Sequence, residues 1–489
     1  MIGYDALERL SGVSLQGAPR TTYAHVVTNS REVAPGDLFV ALRGARDGHE
    51  FLDAAVAAGA AGVVVDRPYA PDADVTVAQV PDTLRALQEL GSLARDASRA
   101  DVLAITGSVG KTTTKNVIAH VLARRRGVLS SPKSYNNHLG VPLTLLLLDD
   151  THDDLVAEVG TNHPGEIAGL VSLVRPRVGL VTNIGHAHVG NFGSRESLAA
   201  EKASLFAGVR PGGVWIVNAD DPLLTRAVAD LDRPEDTRVI TYGEAAEADV
   251  RVGDVAVDER GTTGTITVAD ESARFTIPLL GRHFALTAAA AVAVATERGM
   301  TLADTVEALA TVGSSEGRAA ISTARSGLVR VIDDSYNGSP DSTLAALETL
   351  GGLPEQRRIA VLGEMRELGE WSGRLHEEVG RRIASTTTDL IFIGPSADVV
   401  RAAATGAGMP ADRIRTAGSA TEAAELLDEL LDETPSAVLI KGSRFVHTER
   451  VALALEGADV QCRLELCELY IHCRTCPMLS VPQAGTLAH

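Results

Sequence analysis

Cysteine is absent from this 489-residue chain until Cys462, and all four cysteines (Cys462, Cys467, Cys473, Cys476) crowd into its last segment. Disulfides therefore do not hold the main body together. Long apolar runs are also missing. Fully apolar stretches, such as Leu145 to Leu148, fall far short of the ~20 residues that cross a bilayer. The opening MIGYDALERL has neither the basic nor the apolar region of a secretory signal, so the cytoplasm is the expected setting. Positive charge is in deficit as well, with a net charge of -19. That argues against broad binding to nucleic acid or anionic membrane, and leaves room for a local basic pocket around an anionic small molecule. Neither solenoid repeats nor low-complexity tracts occur, beyond a general richness in alanine.

What is present is an ordinary globular composition, 45% hydrophobic and 22% charged. The length is too great for one core, and about three domains is the expectation. The first hundred residues carry short strand-like runs, Leu38 to Leu42 and Gly62 to Val65, among Ala-rich helical stretches. From about Asp101 a strand, loop and helix alternate (LAIT, DLVAEVG, VGLVTNIG, GGVWIVNADD, RVITYG), which predicts a parallel sheet covered by helices. Val250 to Leu280 switches to two-residue alternation and predicts antiparallel hairpins at that sheet's edge, closed by an Ala-rich helix from Leu286 to Thr296. The turn-rich stretch Val312 to Gly317 reads as a linker. A second alternation (LVRVID, RRIAVLG, DLIFIG, SAVLIKG) then predicts a smaller α/β domain. The expected fold class is α/β in three domains: a central parallel-sheet ATPase domain with a phosphate loop, a smaller N-terminal α/β domain, and a C-terminal Rossmann-like α/β domain. The expected boundaries are 1–99, 100–313 and 314–456, followed by an atypical tail, 457–489.

The chemistry is concentrated in Thr106-Gly107-Ser108-Val109-Gly110-Lys111-Thr112-Thr113, set between an apolar run and a helical pattern. Glycines let backbone N–H groups curl round phosphate oxygens, Lys111 neutralises charge, and the Thr112 hydroxyl can ligate Mg²⁺. A nucleoside triphosphate is the expected ligand, although Ile105 stands where the strict pattern has its first glycine. Glu158 closes the next strand, where a carboxylate is well placed to hold a metal. His188 follows a later strand end. Read alone, Glu158 is as readily a solvated acid, and a lone histidine such as His188 is more often structural than a ligand.

The segments TGSVGKTT, SYNNHLGVPLTLL, EVGTNHPGEIAGL, TNIGHAHVGNFGSRESLAAEKASLF, GRHFALTAAAA, IDDSYNGSPDSTLAALETL, LGEMRELGEWSGRLHEEVG and VLIKGSR occur together and in one order. In this they resemble the Mur ligase family of ATP-dependent peptide-bond-forming enzymes, over roughly residues 20 to 455. Within it, EVGTNHPGEI and DDSYNGSPDS are most similar to the ligase that adds D-alanyl-D-alanine to a UDP-N-acetylmuramoyl tripeptide. The resemblance implies that Thr106, Gly107, Ser108, Gly110, Lys111, Thr112 and Thr113 hold ATP phosphates. Thr112 would bind one Mg²⁺, and Glu158 and His188 a second. Lys202 matches a lysine that the family carbamoylates, giving an extra carboxylate beside the metals. That reaction needs an amine partly desolvated from its ordinary cationic state. The catalytic set implied is thus Lys111, Lys202 and His188.

Asn136, Asn137, His283, Arg318 and Asp334 match positions around the nucleotide. Ser30, Arg31, Asp47, Gly48 and His49 match the nucleotide-sugar domain, and Asn162, Asn337, Lys441 and Arg444 are candidates for the remaining substrate contacts. For Lys441 and Arg444, plain surface charges after a strand are an equal reading. The implied reaction activates an acid as its acyl phosphate, then joins it to an amine while domains hinged at Val312 to Gly317 exclude water. A monomer is expected.

Three departures from the family pattern stand out. Phe284 and Thr287 replace asparagines that help to place adenine, which leaves His283 to pack on the base. Thr161, Gly338 and His138 are further variants. The tail cysteines, with His472, have a spacing that could wrap a zinc ion; otherwise the segment is an unpacked extension or a sequence artefact in place of the family's usual end. Two other functions remain open. One is a homologous amide ligase of secondary metabolism that joins a different acid and amine. The other is a catalytically silent nucleotide-binding scaffold, against which Lys111, Thr112, Glu158, His188 and Lys202 argue jointly.

Overall fold

The computed structural model describes residues 2–487 apart from 18, 21, 45 and 468–471, and backbone alone over 483–487. The first sheet runs in the order Ser14–Gln16, Thr76–Gln79, Gly62–Val65, Leu38–Val40, Val26–Val27, parallel except for its first strand. Gly62–Val65 is buried along its whole length, as a parallel strand covered on both faces must be. Helix Thr83–Ala97, capped by the Asp82 carboxylate on Arg85 N, leads into the next sheet. Its Gly91 lies where an added Cβ would come within 2.9 Å of Pro142 Cα. The helix thus docks closely on Gly140–Leu145 of the following domain.

The nine-stranded central sheet has the order Glu271–Ile277, Gly261–Val268, Val250–Asp258, Arg238–Gly243, Val214–Asn218, Val178–Val181, Asp101–Thr106, Asp154–Glu158, Val128–Ser130. Its first three strands are antiparallel to one another, as the two-residue alternation predicts, and the rest are parallel. Asp101–Thr106 lies between Asp154–Glu158, beyond which Val128–Ser130 forms the edge, and Val178–Val181, from which the order runs the other way. This reversal of strand order opens a crevice at the carboxyl ends of the strands, where ligands of such sheets bind. Helix Phe284–Glu297 is buried continuously from Thr287 to Ala295. Its small side chains let it lie against helix Lys111–Leu122, and an all-apolar surface belongs in a core.

The third sheet runs Ala320–Ala324, Val329–Asp334, Ser436–Lys441, Arg357–Gly363, Asp389–Ile393, Ile414–Ala417, parallel except at the first edge. Asp334 and Lys441 are register partners at the ends of neighbouring strands.

The tail departs from the zinc and unpacked-extension readings. It is packed: Cys462–Cys467 pairs in parallel with Gln483–Leu487, Thr421 Oγ1 donates to Cys462 O, and Arg450 Nη1 donates to Leu464 O at 2.9 Å. Nor do its cysteines and His472 converge. Among the described residues the one group with metal-ligand spacing is His447, Glu449 and Cys473. There the Cys473 thiol receives the Arg450 guanidinium at 3.4 Å and Glu449 receives Arg444 at 3.2 Å, so cations already serve these ligands. Among the described residues no helix is long and apolar enough to cross a membrane.

Candidate active site

The phosphate loop is shaped by two glycines. Gly110 (φ 82°) turns the chain into helix Lys111–Leu122. Gly107 (φ 147°) passes so close to Thr182 that an added Cβ would lie 1.9 Å from its Oγ1. Glycine is therefore required at 107, whereas Ile105 is fully buried in the strand and can be apolar. The loop is braced from the neighbouring strand end. Ser108 N donates to Asn183 O at 2.9 Å, Val109 N to Asn183 Oδ1 at 3.0 Å, and Thr182 Oγ1 to Val109 O at 2.6 Å. Ser108 Oγ is buried without a hydrogen-bond partner among the described residues. Lys111 Nζ donates to Gly107 O at 2.7 Å and Ser108 O at 3.2 Å. Burial pushes this ammonium below its ordinary pKa, with Glu158 opposing and Arg318 adding to the shift.

Glu158, at the end of Asp154–Glu158 and only 1% exposed, is the acidic centre. Its Oε2 accepts from Thr112 Oγ1 at 2.9 Å, and its Oε1 from Asn136 Nδ2 at 2.8 Å. Lys115 Nζ lies 3.9 Å from Oε2 and donates to the carbonyls of Ser131 and Lys133, each at 2.6 Å. Lys115, one helical turn beyond Thr112, was not expected. Its only signal was a lysine inside an otherwise apolar and threonine-rich helix start. Arg318 Nη2 reaches Thr112 Oγ1 at 3.3 Å and stacks over Tyr336 with 3.9 Å to the ring centroid, which joins the linker to the loop.

Two histidine–carboxylate pairs are among the contacts that tie the central domain to the third. His188 (φ 65°) and Glu367 (φ 63°) both hold left-handed backbone, and His188 Nδ1 lies 2.5 Å from Glu367 Oε2. The bond from His188 holds the Glu367 carboxyl below the usual range in spite of burial, helped by the charge of Arg366. Beside it the Asp341 carboxylate accepts from His186 N at 2.6 Å and faces His186 Nδ1 at 3.0 Å. An added Cβ on Gly185 would lie 2.4 Å from Asp341 Oδ2, so only glycine admits this approach. Burial alone would raise Asp341, but these bonds hold it low. Glu367 and Asp341 lie within motifs quoted above, yet their partners are too distant in sequence to be read from it.

Most of these groups, though not Lys115 or His186, line one cavity of about 1350 Å³ between the domains. It brings together Ser108, Gly110, Lys111, Thr112, Thr113, Asn136, Asn137, Glu158, Asn162, His188, His283, Arg318, Asp334, Asn337, Lys441 and Arg444. Thr106 and Gly107 lie outside its lining. Asn137 also has a structural task, since its Oδ1 accepts from Leu139 N and Gly140 N at the start of a helix. Lys441 donates to Asp334 Oδ2 at 2.5 Å and to Asn337 O at 2.9 Å. The His283 ring opens on the cavity and lies against Phe284, centroids 4.1 Å apart. Desolvation by the surrounding protein lowers it to about 4, so it is neutral at physiological pH. Phe284 and Thr287, 4% and 8% exposed, both border the cavity, while the Phe284 ring also packs into the central core.

Lys202 is 1% exposed and is not among the residues lining the cavity. Burial, followed by the charge of Lys111, drives its pKa well below the usual amine value. Ser30, Arg31, Asp47, Gly48 and His49 also lie outside the lining, although Thr28 of the same segment reaches it. His49 Nδ1 contacts Asp47 Oδ1 at 2.7 Å while its Nε2 accepts from Asp66 N at 3.1 Å. The Asp47 and His49 side chains are therefore engaged with each other.

Comparison with known proteins agrees with this geometry. Residues 22–95 match the model described as Mur ligase family, catalytic domain; 105–295 match the Mur ligase middle domain; and 317–444 match the Mur ligase, glutamate ligase domain. The chain is 36% identical over 448 residues to the UDP-N-acetylmuramoyl-tripeptide--D-alanyl-D-alanine ligase of Escherichia coli (90% of this chain, 95% of that protein). It is 37% identical over 388 residues to the Synechocystis protein of the same name (78% and 82%). Among solved structures, MurF from Acinetobacter baumannii superposes with a TM-score of 0.84 at 30% identity, covering 93% of this chain and 99% of that one. MurF from Thermotoga maritima in complex with ADP gives 0.77 at 28% identity, covering 88% and 97%.

Proposed function

Because the chain belongs to the Mur ligase family, we propose that its cavity joins D-alanyl-D-alanine to a UDP-N-acetylmuramoyl tripeptide at the expense of ATP. The observation that carries this reading is the meeting, in one cavity, of a braced phosphate loop, a buried carboxylate and basic groups from the third domain. The relatives it matches carry the name of that ligase, which favours it over an amide ligase of secondary metabolism.

Chemically, the tripeptide carboxylate attacks the γ-phosphorus of ATP, and ADP leaves with the electron pair of the broken bond. The amine of the dipeptide then attacks the acyl phosphate carbonyl, loses a proton and expels inorganic phosphate. The loop amides, Ser108 Oγ and the Lys111 ammonium bind the phosphates. The flexible Lys111 stem lets the ammonium exchange loop carbonyls for phosphate oxygens. His283, neutral and open to the cavity, is the surface on which adenine packs. The junction at His186–Asp341 and His188–Glu367 holds the third domain over the loop, which keeps water from the acyl phosphate.

The oxygen donors of Thr112 and Glu158, 2.9 Å apart, suit Mg²⁺. Thr112 would hold one ion, and Glu158 and His188 a second, and together they would offset the repulsion between phosphate and carboxylate anions. Lys202 fits its expected carbamoylation, since an amine whose pKa burial has driven down is neutral enough to add to CO₂. The first domain, 1–99, takes the nucleotide sugar, and the third, 314–456, takes the amine. A cytoplasmic monomer completes the reading.

The test is phosphate release by the purified chain. Release should require ATP, UDP-N-acetylmuramoyl tripeptide and D-alanyl-D-alanine together, with the pentapeptide product identified by mass. Release with other acid and amine pairs alone would overturn the assignment.

A further inference from the structure

The wall that the third domain contributes to the cavity carries several cations, and all but one are matched. Lys441 is bound to Asp334 and Asn337, Arg444 to the buried Glu449, and Arg318 to Thr112 and the face of Tyr336. Arg366 is different. It lines the same cavity, and its Nη1 is buried without a hydrogen-bond partner among the described residues. Its guanidinium is stacked 4.8 Å from the centroid of Phe445, and its backbone N–H is fixed on Ser443 Oγ at 2.9 Å. The nearby Glu367 carboxylate is committed to His188. A half-buried guanidinium with an unmet donor, held by stacking and a pinned backbone, is arranged to receive a planar anion.

Resting on the ligase reading above, we propose that Arg366 binds the C-terminal carboxylate of the incoming dipeptide and so selects a free acid at that end. Position supports the dipeptide rather than a phosphate. Arg366 follows the carboxyl end of strand Arg357–Gly363 and so belongs to the third domain, not to the one that carries the phosphate loop. Its chain neighbour Glu367 touches His188 of the central domain. A two-residue peptide spans roughly 7 Å, so a carboxylate held at Arg366 leaves the amine at the far end, facing the junction where the acyl phosphate forms. The anchor makes its contact before and during reaction, and its loss is therefore expected in KM more than in kcat.

The experiment compares D-alanyl-D-alanine with D-alanyl-D-alaninamide, whose end carries no charge, in the full-length wild type and in Arg366→Gln and Arg366→Lys. Wild type should prefer the acid by about 10- to 100-fold in kcat/KM, the worth of a charge-assisted hydrogen bond. Arg366→Gln should raise the dipeptide KM by about the same factor and reduce the preference to within about twofold, with KM for ATP and for the UDP-tripeptide unchanged. Arg366→Lys, which keeps the charge and loses the fork, should retain part of the preference. A wild type indifferent to the amide, an Arg366→Gln that still discriminates, or a rise in KM confined to the UDP-tripeptide would each overturn the assignment while leaving the ligase reading intact. Absence of any dipeptide-dependent turnover in wild type would overturn both.

Discussion

Gly107→Ala measures how tightly the phosphate loop is built. The glycine has φ 147°, and an added Cβ would lie 1.9 Å from Thr182 Oγ1 and 3.1 Å from Thr182 Cβ. Two separate penalties follow. Holding a side-chain-bearing residue in a glycine-only backbone region costs about 1–3 kcal/mol, and forcing a methyl group into filled space costs about 1–3 kcal/mol more. The central domain should therefore lose roughly 2–6 kcal/mol. Trp215 is buried on the central sheet, and its fluorescence in a Trp371→Phe background reports that domain in urea. ATP affinity should also fall by about 10- to 100-fold as loop donors move off the phosphates. Thr182→Ala separates the two penalties. In the double variant the overlap with Oγ1 is gone, and about 1–3 kcal/mol of coupling should appear in the cycle. A Gly107→Ala protein within about 0.5 kcal/mol of wild type, with unchanged ATP affinity, would refute the claim that this close approach sets the loop.

Further outcomes can be checked alongside. Phe284→Asn, which restores the residue usual in the family, should destabilise the protein by about 3–5 kcal/mol without improving the KM for ATP, because the ring fills buried space. Burial alone would raise the Asp389 carboxyl, but bonds from Arg357 and Thr388, with Arg413, hold it below its ordinary 3.8. The stability it contributes is present above that value and lost as pH falls through the lowered one, so third-domain unfolding in acid should begin near pH 4. Asp389→Asn should flatten that dependence and leave Arg357 short of its charge partner. Truncation after Gly457 removes the acceptors of Thr421, His447 and Arg450 in the tail. It should lower the melting temperature, whereas chelators added to the intact chain should leave it unchanged.

Local features were legible and long-range partnerships were not. The phosphate loop, the strand-end Glu158 and the edge hairpins each declare themselves within a dozen residues, because turn chemistry and periodicity are local properties. Ile105 looked anomalous only because the pattern counts glycines by position. The chain needs one where Thr182 crowds the backbone, and that residue is 107. The pairings His188 with Glu367 and His186 with Asp341 join residues far apart in sequence, and nothing local marks one as the other's partner. Asn137 shows the converse limit, since a residue resembling a ligand also spends its carbonyl oxygen on a helix start. The tail shows the same limit: cysteine spacing points to zinc, an unpacked end or a replaced terminus, but strand Cys462–Cys467 is held by backbone carbonyls that composition does not reveal.

The central claim is that Lys111 and Glu158 act on one triphosphate to make a carboxylate reactive toward an amine. The most direct measurement is pentapeptide formation and phosphate release by wild type, Lys111→Ala and Glu158→Ala under saturating ATP, UDP-N-acetylmuramoyl tripeptide and D-alanyl-D-alanine. Both variants should lose at least about a hundredfold in rate, the scale of a single charge-stabilising group in a transition state, while melting as folded proteins. Product formation by either folded variant at the wild-type rate would contradict the account.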